Sequence, residues 1–296
     1  MNTLTRLLGV ALATSLLPNL AAADLDPQDP KDALKINRKV QCSATDGEAT
    51  TYWWHGNAYS RRMGERDKLL FKVEGMNVRA CVSVSDPEKG DGFKLVSREL
   101  LLYKDPATGE VLSTWENPWT GETVDVLHVA NDPVNFTMYE IGRNGQPISW
   151  DASIQGDRWW QTNTIPLFYP NPLAGGYQKE IGGTYHATEM FNFMGDVETA
   201  LDEDSALANV QVGWARMSDW LPWMMMGGRD GIIYMHTAGR KLESWDDMSE
   251  VMKQEIAEHY PDYTQPPPLD DERRNETSWL YYKKVQDGDR VAPQRQ

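Results

Sequence analysis

Turn signals recur so closely through the first half of this chain that no long helix fits between them. Asp105-Pro106-Ala107-Thr108-Gly109 and Asn117-Pro118-Trp119-Thr120-Gly121 each open on an Asp-Pro or Asn-Pro pair and close on Gly. Proline presets φ, the Asp or Asn side chain bonds the backbone two residues on, and glycine supplies the positive φ that closes the turn. Asp86 to Gly92 and Asn131-Asp132-Pro133 add further breaks. Between them lie Lys94 to Tyr103, Val111 to Trp115 and Thr123 to Val129, lengths that suit strands. Upstream, Val78, Ala80, Val82 and Val84 recur at period two, the mark of a strand with one buried face. Thr50 to Gly56 is rich in β-formers. Short strands joined by tight turns make an antiparallel meander.

A less regular region follows, through Trp159-Trp160 and the Pro-rich Ile165 to Pro172, before strands resume at Thr184 to Met194, Asn209 to Arg216 and Ile232 to His236. Ser244 reads as a helix N-cap, with Met248, Val251, Met252 and Ile256 at helical spacing behind it. Pro261 onward reads as an extended tail in which Trp279-Leu280-Tyr281-Tyr282 docks back. Twelve Trp, twelve Tyr and thirteen Met give a large aromatic interior that Met can fill irregularly. The expected fold class is therefore mainly β, an antiparallel meander closing into a calycin-like β-barrel, which leaves no exposed edges. One C-terminal amphipathic helix and the tail complete it.

Arg6, the apolar run Leu7 to Leu17 and Ala21-Ala22-Ala23 form a signal-peptide pattern over residues 1–23. The expected divisions are then a single β-rich domain over 24–260 and the tail over 261–296, in a periplasmic or secreted protein. No later stretch reaches the roughly 20 apolar residues of a membrane span. With 44 acidic against 29 basic residues, a net charge of -15, the chain repels nucleic-acid phosphates. Cys42 and Cys81 are the two cysteines, and in an oxidising compartment they form a candidate disulfide.

Four runs carry a resemblance. Tyr103-Lys104-Asp105-Pro106-Ala107-Thr108-Gly109-Glu110, Trp115 to Glu122, and Val126-Leu127-His128-Val129-Ala130-Asn131-Asp132-Pro133-Val134-Asn135 are similar to the DUF1838 family, as is Trp220-Leu221-Pro222-Trp223-Met224-Met225-Met226-Gly227. The resemblance spans roughly Lys35 to Tyr260. It implies one contiguous domain and assigns no chemistry.

Site candidates therefore come from the residues themselves. His128, at a strand end before Asn131-Asp132-Pro133, could be oriented by Asp132 and move a proton near neutral pH; it reads equally as a hydrogen-bonded core histidine, and Asp132 as a turn former. Glu99 shares a strand face with Leu101 and Tyr103, where Arg61, Arg79 or Arg216 could pair with it, although the opposite face, Arg98, Leu100 and Leu102, has the stronger apolar count. Trp54, Tyr103, Trp115, Asn117, Arg216, Trp223 and Met225 are the candidate ligand-binding residues, with Trp220 to Met226 either a core plug or an adaptable wall. His186 and Glu189, three apart on a strand, face opposite sides, so no metal is expected. No nucleotide fingerprint or nucleophile elbow is present, so no cofactor is expected either. These features favour binding of a bulky hydrophobic or aromatic small molecule. The alternatives are a cofactor-independent isomerase, lyase or hydrolase using His128, Asp132 and Glu99, and a structural or protein-interaction module.

Overall fold

The computed structural model describes residues 24–174 and 183–293, so the expected signal peptide over 1–23 lies outside the described residues. Strands β1 (Thr50–Arg61), β2 (Lys68–Asp86) and β3 (Gly90–Lys104) form a long meander. A small hairpin follows, β4 (Thr114–Glu116) with β5 (Thr123–Asp125), then β6 (Val129–Asn131) and β7 (Phe136–Tyr139), both against β3. The second half supplies β8 (Ser153–Gln155), β9 (Arg158–Pro170), β10 (Thr184–Asp196), β11 (Val210–Ser218) and β12 (Ile232–Lys241). Ten of these strands build one antiparallel sheet in the order β6-β3-β2-β1-β12-β11-β10-β9-β8, with β7 added on β3. The return of β12 to pair with β1, Tyr52 opposite Lys241 through Arg61 opposite Ile232, joins the two halves.

Mainly β, antiparallel architecture is thus observed, but the barrel is not closed by hydrogen bonds: among the described residues no ladder joins the β6 edge to the β8 edge. The sheet is nevertheless strongly curled. Tyr52 on β1 and Phe193 on β10 lie three ladders apart, about 14 Å in a flat sheet, yet their ring centroids are 6.2 Å apart. Glycine permits the bend. Trp54 is flanked on its own face by Gly75 of β2 and Gly239 of β12; a Cβ on Gly75 would fall 2.5 Å from the indole, and one on Gly239 2.0 Å from the Trp53 carbonyl oxygen.

Helices close what the strands leave open. α1 (Pro30–Gln41), which the sequence reading missed, starts on the Asp29 N-cap with Pro30 in its first turn and buries Ala33, Ile36 and Val40 at one end of the concave face. Its final carbonyls are held by Lys241, whose ammonium donates to Lys39 O at 2.5 Å and Cys42 O at 2.9 Å. Beside it Cys42 and Cys81 form a disulfide with Cα atoms 6.1 Å apart. The short α2 (Val197–Leu201) packs on α1. The other end is plugged by the 219–231 loop, which buries Trp220, Leu221, Trp223, Met224 and Met226; Trp223 meets Tyr103 at 5.3 Å and Phe71 at 5.6 Å.

On the convex side α3 (Glu250–His259) buries Met252 and Ile256 against Met76, Val78, Leu100 and Leu102. Its N-cap is Ser249, while Ser244 caps a separate turn at Trp245–Asp247. The segment read as an extended tail contains a fourth helix, α4 (Ser278–Asp287), capped by Thr277 and ended by Gly288 at φ 79°. Trp279, Tyr281 and Tyr282 are buried, and the Trp279 ring packs, tilted, against Tyr185 of β10 with centroids 4.8 Å apart. Glu276 N–H donates to Pro133 O, just beyond β6. The tail therefore bridges the gap between the sheet's edges. The region from Trp159 to Pro170, read as less regular, belongs to strand β9: β8 covers only its first three residues, and proline is tolerated where the strand's free side needs no N–H.

Among the described residues no helix is long and apolar enough to cross a membrane. The curl depends on the bare backbone beneath Trp54. Gly75→Ala is expected to cost about 1–3 kcal/mol by overpacking, measured by chemical denaturation with tryptophan emission as the probe; an unchanged midpoint would contradict this packing.

Candidate functional site

Strand registers place a polar group on the concave face of an otherwise aromatic sheet. On β2, Asn77 and Arg79 follow Gly75 at period two; on β3, Ser97, Glu99, Leu101 and Tyr103 lie opposite them, and Asn131 of β6 pairs directly with Glu99. From the other half come Trp214 and Arg216 of β11, Glu189 and Tyr185 of β10, and Tyr169 of β9. Glu99 and Glu189 are five ladders apart, about 24 Å in a flat sheet. The curl brings them within Coulombic reach of each other and of Arg216.

Burial and Glu189 push the Glu99 carboxyl up to about 7, although Asn131, Arg216 and Arg79 oppose the rise. Asn131 Nδ2 donates to Glu99 Oε2 at 3.2 Å. Arg216 donates from Nη1 to Glu189 at 3.1 Å and from Nη2 to the Tyr185 hydroxyl. Burial alone would lower the Arg216 guanidinium, but Tyr185 and Glu189 outweigh it and hold the charge firmly. Arg79 donates to Asn77 Oδ1 at 2.7 Å and to Gln41 Oε1 at 2.9 Å, and its guanidinium lies 4.7 Å from the Tyr52 ring centre. Burial lowers Arg79, partly opposed by Tyr52 and Glu99. Lys241, at the α1 end of the same face, is pushed down to about 7 by burial and by Arg79 and Lys39.

Several polar atoms here are left over. Among the described residues Trp54 Nε1, Asn131 Oδ1, Gln161 Oε1 and Arg216 Nε are buried without a hydrogen-bond partner, and all four side chains belong to the concave face. Such atoms each cost about 1–3 kcal/mol. The face is also reachable: Glu99, Arg79, Phe191 and Tyr169 keep some exposure, and Ile165, opposite Glu189, is 44% exposed.

A surface groove of about 530 Å³ on the convex side, lined by Trp53, His55, Lys104 and Ser249, differs in kind. Its one buried carboxylate, Glu74, is already taken by Lys104 at 2.7 Å, Trp53 Nε1 at 2.9 Å and the Ser249 hydroxyl.

The sequence candidates separate accordingly. Glu99, Tyr103, Arg216 and Trp54 come together on the concave face. His128 and Asp132 have different hydrogen-bond partners: His128 Nδ1 accepts from Tyr103 N–H at 3.0 Å, so Nε2 carries the proton and donates to Leu112 O at 3.1 Å. Asp132 instead binds Arg273 at 2.7 Å and Arg98 at 3.1 Å beside the convex helices. Trp115 and Trp223 belong to the plug, their centroids 6.1 Å apart. Asn117 is a turn and plug anchor, accepting from Trp119 N–H at 2.9 Å and donating to Met224 O at 2.9 Å. Met225, expected to line the pocket, sits at φ 51° and points outward, 39% exposed; Met224 and Met226 are the buried pair. Of the suggested partners of Glu99, Arg61 is occupied by Asp67 at the surface. Glu189, Tyr185 and Asn131 were not recognised as site residues. The alternation of Tyr185, Ala187 and Glu189 could have placed Glu189 inward, but nothing in sequence shows which distant strand it faces. Glu189 and His186 do lie on opposite faces, and among the described residues no three His, Cys, Asp or Glu side chains could hold a metal ion.

An open, curled antiparallel sheet with a partly unpaired ionic cluster on its concave face defines the class. The chain belongs to the DUF1838 family: the family model described as "Protein of unknown function (DUF1838)" matches residues 47–286, continuing through most of α4. No curated protein matches it.

The Glu99 carboxyl gives the fold a pH signature. Its ordinary value near 4.5 rises to about 7 on folding, so between these limits the folded state holds a proton that the unfolded state releases, and stability falls as pH rises across that window. Glu99→Gln should remove this slope and stabilise the protein above pH 7 by about 1–2 kcal/mol. Parallel denaturation profiles for the two proteins across that window would contradict it.

Proposed function

We propose that this protein binds a small molecule with a bulky hydrophobic or aromatic body in the hollow of the curled sheet, which serves as an incompletely closed barrel. The observation that carries this reading is the set of buried, unpartnered polar atoms on the concave face, Arg216 Nε, Asn131 Oδ1 and Trp54 Nε1. Buried polar groups are normally satisfied, and a ligand bearing a few polar atoms would satisfy these. Phe191, Trp214, Tyr169, Leu167 and Ile165 would supply the apolar wall, as in most ligand pockets. The Cys42–Cys81 disulfide supports export to an oxidising compartment.

A second reading is a cofactor-independent enzyme acting on the same molecule. It is favoured by Glu99, whose carboxyl near 7 beside Arg216 and Arg79 suits proton transfer at neutral pH. The acid-base role then belongs to Glu99, and His128 braces the backbone of β3.

Protein purified from its own host, examined by native mass spectrometry, should carry a small molecule released on denaturation. Phe191→Arg, which puts a charge on the apolar wall, should release it while leaving the fold intact by circular dichroism. Empty protein, together with no thermal shift from any hydrophobic metabolite, would overturn the binding reading. If the molecule is a substrate, Glu99→Gln should bind it and abolish turnover; unchanged turnover would remove the enzymatic reading.

A further inference from the structure

The concave face is unbalanced in charge as well as in hydrogen bonding. Arg216 is paired with Glu189 at 3.1 Å. Arg79, by contrast, has no carboxylate within salt-bridge distance among the described residues. Its bonds run to two neutral amides and a backbone carbonyl, Asn77 Oδ1, Gln41 Oε1 and Gln41 O, and none of them uses Nη2. In a chain of net charge -15, an interior arginine without an acid is a specific feature. The one remaining acid on this face, Glu99, holds a proton for much of the time near neutral pH, because burial and Glu189 disfavour its charge. Two guanidinium ions then face one carboxylate, Glu189.

The unused donors point the same way. Arg216 Nε is a charged donor with no acceptor, and a guanidinium prefers a planar anion that takes two N–H groups at once. Away from these cations the concave face turns apolar, through Phe191 and Tyr169 to the exposed Ile165 on β9.

We propose that the ligand is an amphipathic carboxylic acid, its carboxylate seated between Arg216 and Arg79 and its apolar body lying along β10 and β9 toward Ile165. This deepens the binding function proposed above and rests on it. The carboxylate takes the Arg216 Nε proton in a hydrogen bond and supplies the charge that Arg79 lacks. Glu99, in its protonated form, donates to the same carboxylate, so binding draws a proton onto Glu99 and weakens as pH rises past its titration. Arg98 and Arg273 do not compete, since both are engaged by Asp132 outside the concave face.

Matched pairs that differ only in the head group separate this claim from its foundation. Protein stripped of bound molecules is titrated with dodecanoate and dodecanol, and with naphthaleneacetate and naphthaleneethanol, following tryptophan emission and melting temperature. Each acid should bind about tenfold or more tightly than its alcohol, and the preference should disappear in Arg79→Gln. Glu99→Gln, which keeps a neutral donor at every pH, should retain the preference and hold it above pH 8, where the parent protein loses several-fold; this variant decides the matter even if Arg79→Gln does not fold. Equal binding of acids and alcohols would overturn the carboxylate and leave the pocket standing. Binding of neither pair by folded protein would overturn the pocket and the carboxylate with it.

Discussion

Everything on the concave side of this protein depends on how tightly the sheet curls, and the curl depends on one tryptophan lying on bare backbone. Trp54 occupies the space that side chains at Gly75 and Gly239 would fill, so three adjacent strands bend around an indole instead of holding it off. Once they bend, residues that a flat sheet would keep far apart face one another. Trp54 reaches Trp214 at 6.3 Å, Tyr52 reaches Phe193, and Glu99 shares a field with Glu189 and Arg216. Closure by a final ladder is then unnecessary, because α1, the Trp223 plug and the α4 segment fill the ends and the seam.

That arrangement puts charge where a fold built for stability alone would place hydrocarbon. Replacing buried ion pairs by apolar residues is often neutral or stabilising, and an unpaired buried donor is a direct cost. The convex groove at Glu74 shows what a satisfied polar cluster looks like in this same protein: a carboxylate with three donors around it. Arg216 Nε and Asn131 Oδ1 have no such partners. A cluster left unfinished beside an apolar wall is what the ligand proposed above would complete.

Local chemistry was legible in the sequence wherever it was self-contained. The Asp105 and Asn117 turns form as their residues dictate, each Asx side chain accepting from the two N–H groups that follow, with the closing glycines at φ 80° and 73°. The strands over 184–196, 210–218 and 232–241 were visible from alternation. Two kinds of feature were hidden. β3 buries both faces, one against α3 and one against the sheet's interior, so an apolar count could not tell which side Glu99 takes. Partnership across the curl was the other, since Glu99 and Glu189 are 90 residues apart with no local pattern linking them. The partner of His128 was hidden for a related reason: an imidazole near an Asp in sequence accepts the Tyr103 N–H of a neighbouring strand.

On the proposed function, the concave cluster is incomplete without a small molecule. A high-resolution crystal structure of protein purified from its own host tests it most directly, read at Arg216 Nε and Asn131 Oδ1. A bound ligand should give continuous density that contacts both atoms, lies near Arg79 and extends along Phe191 toward Ile165. A concave face in which both atoms are met by other side chains of this chain, with no space between Arg216 and Arg79, would contradict it.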